Sequence, residues 1–141
     1  MGQSVLLLAL LALGPWRSGD WSSRAGFWLG AILLAAGAVF GIAGTRAIGR
    51  KRTPFPCPLA GAELVQRGIY SLVRHPLYAS LIYLGAGRAL IWASGAAAIT
   101  TIVLTVLLDR KARLEERWLV QEFPGDIEYA RRVRQLVPGL A

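Results

Sequence analysis

The chain has 141 residues, enough for one domain, and 55% of them are hydrophobic against 17% charged, which is too apolar for an ordinary soluble fold. Its formal net charge of +8 would suit nucleic acid if the basic residues formed a soluble face. They border apolar runs instead, the pattern of the positive-inside rule, with attraction to anionic headgroups as a second role.

The lone Cys57 excludes an internal disulfide and a zinc cluster, and the lone His75 excludes a multi-histidine metal site within one chain. Val5 to Leu13 is strongly apolar but shorter than the ~20 residues of a perpendicular span. Met1-Gly2-Gln3-Ser4 has no basic residue and no clear small-x-small cleavage site follows, so a short first span ending near Trp16 is favoured over a cleaved signal peptide. Arg17 to Arg24 then reads as a polar loop.

Ala25 to about Ile48 is the clearest span. Gly30, Gly37, Gly41 and Gly44 recur along it at helical spacings that let another helix approach closely. Arg46 to Arg74 follows, with six basic residues and only Glu63 against them, an asymmetry that places it in the cytoplasm. Pro54, Pro56 and Pro58 keep its start extended, because a residue before proline avoids the helical region.

Leu77 to Trp92 and Ala96 to Leu108 are two further apolar runs separated only by Ala93-Ser94-Gly95. They predict an antiparallel helical hairpin with its uncharged turn on the far side. Both are short for spans, which tilt, protein shielding or local thinning would accommodate. Arg88 inside the first either snorkels to the far interface or pairs within the bundle. From Asp109 the last helix continues into water, Phe123-Pro124-Gly125 breaks it, and Ile127 to Val137 forms a basic amphipathic segment.

The expected architecture is an all-α polytopic membrane helix bundle in a single domain, 1–141, with spans at about 4–16, 25–48, 77–92 and 96–110. Both termini are placed in the cytoplasm, with polar regions 53–78 and 109–138, and the inner membrane is the expected compartment.

Chemistry concentrates in Gly68-Ile69-Tyr70-Ser71-Leu72-Val73-Arg74-His75-Pro76-Leu77-Tyr78. Pro76 suits the first helical position, which leaves the amides of Leu77 and Tyr78 facing the loop as an anion site. Arg74 adds a fixed charge, and Gly68 permits a turn that brings Tyr70 over the same place. Lys111, Arg113, Glu115 and Glu116 lie just past the last span, with Lys111 and Glu115 on one helix face. The hairpin returns them to the membrane surface where Arg74 and His75 stand. Taken singly, these features could equally be an interfacial anchor and an exposed ion pair.

Gly68-x-Tyr70-x-x-x-Arg74-His75-Pro76-x-Tyr78, preceded by Leu64-Val65 and followed by a hairpin and Glu115-Glu116, resembles the isoprenylcysteine carboxyl methyltransferases. These integral membrane enzymes use S-adenosylmethionine and are related to the phospholipid N-methyltransferases. The resemblance covers about Thr53 to Pro138. It implies cofactor contacts from Leu64, Val65, Tyr70, His75, Pro76, Leu77, Tyr78 and Glu115, with Glu116 beside them. Lys111 falls where the eukaryotic enzymes carry a substrate-facing arginine, or Arg113 if the register differs; Arg74 joins them in orienting the acceptor. Ala62, where a polar side chain often precedes Leu-Val, Ala79-Ser80 in place of the usual glycine region, and a C-terminal stretch keeping only Tyr129 of two familiar tyrosines all depart from the family pattern.

The activity implied is methyl transfer from S-adenosylmethionine to a lipophilic acceptor drawn from the bilayer, most like carboxyl methylation of an isoprenylcysteine-type substrate. N-methylation of a phospholipid or small amine, S-methylation of a thiol, and a non-catalytic protein of the same fold are the alternatives.

Overall fold

A computed structural model describes residues 24–48, 68–122, 132–133 and 136. The expected first span, the proline-rich stretch, Leu64, Val65 and most of the C-terminal amphipathic segment lie outside them. Among the described residues the protein is helical, with no β-strand.

Helix α1 is Arg24–Ile48, a 3-10 turn covers Gly68–Ser71, α2 is Pro76–Ile91 and α3 is Gly95–Glu122. At 25 residues α1 is about 37 Å long, enough to cross the ~30 Å hydrocarbon layer. It is the one described helix long and apolar enough to do so. At 16 residues α2 extends about 24 Å, so the shortness read from the sequence persists in the fold.

α2 is the central element, packed on one side by α1 and on the other by α3. The α1–α2 seam is made by small residues that bring backbones together. A β-carbon on Gly30 would lie 2.8 Å from the Gly87 carbonyl oxygen, and one on Gly87 would lie 2.7 Å from the Gly30 oxygen. Midway along, Ser80 donates its hydroxyl to the Gly37 carbonyl at 2.7 Å. Close approach and interhelical hydrogen bonding are how helices associate without a hydrophobic drive between them.

The α2–α3 seam is different in kind. Ala89, Ala97, Leu104 and Leu108 form its buried cluster, with Tyr78, Leu81 and Ile82 packed against it. Gly85 makes room for Thr101, whose hydroxyl would lie 2.8 Å from an added β-carbon. The reversal between α2 and α3 takes only Trp92, Ala93 and Ser94. Ala93 adopts φ +46°, the left-handed geometry of a helix C-terminus, and Ser94 caps α3 through Oγ and the Ala97 amide at 3.3 Å. Arg88 stands in the last turn of α2, where a positive charge meets the negative end of the helix dipole.

Candidate functional site

The site begins with the turn before α2. Gly68 has φ +64°, a conformation that disfavours a side chain. The chain then closes through Ser71 Oγ to the Gly68 carbonyl at 2.7 Å and through the Leu72 and Val73 amides to the Ile69 carbonyl. Val73 is wholly buried and pins the turn to the bundle. Arg74 and His75 are thereby delivered to the start of α2. Pro76 opens that helix, with His75 as its N-cap residue but without a side-chain capping bond.

One detail differs from the sequence expectation. The Tyr78 amide donates to the His75 carbonyl at 3.1 Å, so it is not a free donor facing the loop. Side chains supply most of the polar groups gathered at this helix end.

Those side chains meet the start of the polar end of α3. Glu116 accepts from Arg74 through Oε2 at 3.0 Å and from His75 Nε2 through Oε1 at 3.0 Å. A carboxylate only accepts, so this bond places a proton on Nε2 of His75. Glu115 accepts the Tyr78 hydroxyl at 2.8 and 3.0 Å, and its Oε2 lies 3.9 Å from His75 Nδ1. The His75 and Tyr78 rings stack, 4° from parallel with centroids 5.3 Å apart. Lys111 Nζ lies 5.2 Å from the Tyr78 ring centroid and 3.8 Å from Glu115 Oε1.

Consecutive glutamates on a helix point about 100° apart, which lets Glu115 take the tyrosine while Glu116 takes the arginine. Residues 37 and 41 positions apart thus share one cluster. Its permanent charges are two cationic side chains and two carboxylates.

Of the residues singled out from sequence, Arg74, His75, Tyr78, Lys111, Glu115 and Glu116 come together. Pro76 and Leu77 form the adjoining first turn of α2, and Tyr70 sits half-buried in the 3-10 turn before it. Arg113 does not join them. It pairs with Asp109 at 2.9 Å and its side chain is 66% exposed, on the far side of α3. The double anchoring by Glu116 was not legible in sequence, although a second glutamate beside Glu115 was the available signal. One donor is left over: Arg74 Nε is buried and meets no acceptor among the described residues.

Comparison with known proteins decides the family. The profile of the family described as phospholipid methyltransferase matches residues 25–125, from α1 through the whole site. The chain belongs to the phospholipid methyltransferase family. This family lies in the same superfamily of membrane methyltransferases as the isoprenylcysteine enzymes, and its members typically use S-adenosylmethionine. The chain is also similar to the cobalt-zinc-cadmium resistance protein CzcN of Cupriavidus metallidurans. The two are 38% identical over 80 residues, 55% of this chain and 37% of that protein. The matched stretch is therefore little more than a third of CzcN.

The donor set suits the family's cofactor. A methionine moiety carries a carboxylate and an ammonium, and the cluster offers the spare Arg74 N–H beside two carboxylates. Aromatic rings such as the stacked pair are suited to a sulfonium and an adenine.

Proposed function

We propose that the chain transfers a methyl group from S-adenosylmethionine to a lipophilic acceptor at the cytoplasmic membrane surface. The observation that carries this reading is the single cluster that joins the N-terminus of α2 to the polar end of α3. It lies within the stretch matched by a methyltransferase family. In the full bundle of four spans, both termini are cytoplasmic and this cluster opens at that face.

Tyr70, His75, Pro76, Leu77, Tyr78 and Glu115 would hold the cofactor, together with Leu64 and Val65. When bound, the cofactor supplies a sulfonium methyl: the acceptor's lone pair forms the new bond to carbon while the carbon–sulfur pair returns to sulfur. The protein's own work is alignment and exclusion of water. Glu116 fixes Arg74 and His75, Glu115 fixes Tyr78, and Lys111, at 46% exposure the most open of these charges, orients an anionic acceptor together with Arg74.

The cations of the cluster favour a carboxylate or thiolate acceptor, which Arg74 and Lys111 would attract and which has no proton to lose before it attacks. Glu116 accepts from His75 and Arg74, and Glu115 shares the one Tyr78 hydroxyl proton between its oxygens, so both carboxylates serve to hold the cluster's own donors. Carboxyl methylation of an isoprenylcysteine-type substrate is accordingly the leading reading. Phospholipid N-methylation is the second, favoured by the description of the matched family.

Native membranes bearing the protein, supplied with methyl-labelled cofactor, test both. Label in a lipid-soluble product that is released as methanol by mild alkali marks a carboxyl ester. Alkali-stable label in phospholipid marks the amine reading. No labelled product, with no cofactor binding by calorimetry, would leave a non-catalytic protein of this fold.

A further inference from the structure

We infer that the outer face of α3 binds the headgroups of anionic phospholipids. Ile99, Ile102, Val103 and Val106 are exposed on this helix, with Ile99 at 66%. At 100° per residue they point away from Leu104, Leu108 and Ala112, which are buried. Carried further along the helix, the same face presents Arg110, Arg113 and Arg117, all exposed.

Arg110 and Arg117 are seven residues apart, about 10 Å of rise, comparable to the ~5–8 Å depth of one headgroup layer. Leu114, 47% exposed, stands among the arginines, so the apolar stripe overlaps the charges instead of ending where they begin. A helix emerging straight into water has no use for that overlap. A helix end crossing the headgroup layer does: its leucine packs on the glycerol and upper acyl region while the long arginine side chains reach phosphates.

Asp109 pairs with Arg113, which leaves Arg110 and Arg117 as the charges with no acidic partner among the described residues. Charge complementarity selects an anionic headgroup as their occupant. The reactive cluster occupies the opposite side of α3, so the two surfaces are separate. The inference rests on α3 lying in a bilayer and does not depend on methyl transfer.

The test is electron spin resonance of the full chain reconstituted in phosphatidylcholine bilayers, with spin-labelled phosphatidylglycerol or phosphatidylcholine as the probe. A basic residue at an anionic surface favours association by about fivefold. Averaged over all boundary lipid, the expected preference for phosphatidylglycerol is at least about twofold, and high salt weakens it. The Arg110→Gln/Arg117→Gln variant should bring the preference to about one, and Arg110→Lys/Arg117→Lys should retain it. No preference in the unaltered chain, or the same preference in the glutamine variant, overturns the inference.

Discussion

Replacing Glu116 with glutamine keeps the size of the side chain and removes its charge. Glu116 receives Arg74 and His75 at 3.0 Å each, and all three side chains are less than one-fifth exposed. Solvent therefore screens these bonds only in part. A charge-assisted hydrogen bond in such a setting contributes about 1.5–3 kcal/mol. The amide can accept from one donor only, and its own N–H then faces the other. The loss is about 2 kcal/mol of the energy that holds Arg74 and His75 in place.

If the cofactor binds the pair as held here, that loss appears as roughly 10- to 30-fold weaker binding. Isothermal titration of detergent-purified protein with S-adenosylmethionine measures it, with helix content by circular dichroism as the control for folding. Unchanged affinity would show that Glu116 is a bystander. Tighter binding would show that Glu116 competes with the ligand's carboxylate for Arg74, and the positioning argument would fall.

Tyr78→Phe keeps the ring on His75 but deletes the hydroxyl held by Glu115 at 2.8 and 3.0 Å; the same titration should show a roughly tenfold loss, since a hydrogen bond to a charged group contributes about 1.5–3 kcal/mol. Arg113→Ala should leave cofactor affinity within about twofold, because an exposed pair with Asp109 contributes under about 1 kcal/mol, whereas Lys111→Ala should raise the apparent KM for an anionic acceptor. An equal response of the two variants would argue against the assignment of Lys111. Gly87→Ala would press a methyl against the Gly30 carbonyl, 2.7 Å away, and backbone cannot swing aside. Overpacking of this kind costs about 1–3 kcal/mol, measurable as earlier unfolding in an SDS titration, and an unshifted curve would mean that the helices separate freely.

The glycines of α1 announced a close helix seam, and the seam is there. The short Ala93-Ser94-Gly95 interval announced a hairpin, because so few residues allow little else, and α2 and α3 do reverse across it, with Gly95 taken into α3. The juxtaposition of His75 with the paired glutamates followed from that reversal alone. Rotational register was less readable. Lys111 and Arg113 are equivalent in composition, and only the packing of Leu104, Leu108 and Ala112 turns one toward Tyr78 and the other outward. The backbone bond that uses the Tyr78 amide was likewise invisible, since sequence gives the start of a helix but not how tightly its first turn is wound.

The two sides of α2 are joined by unlike means, and this sets how the molecule can yield. Against α1 it is fastened backbone to backbone, by contacts that cannot be loosened without parting the helices. Against α3 the grip at the polar end is ionic, made by groups that a charged ligand could compete for. An incoming charged molecule that borrows Arg74 or Glu115 withdraws a tie from that edge. The edge that carries the charged cluster is thus the one free to give way, while its opposite remains a fixed rail.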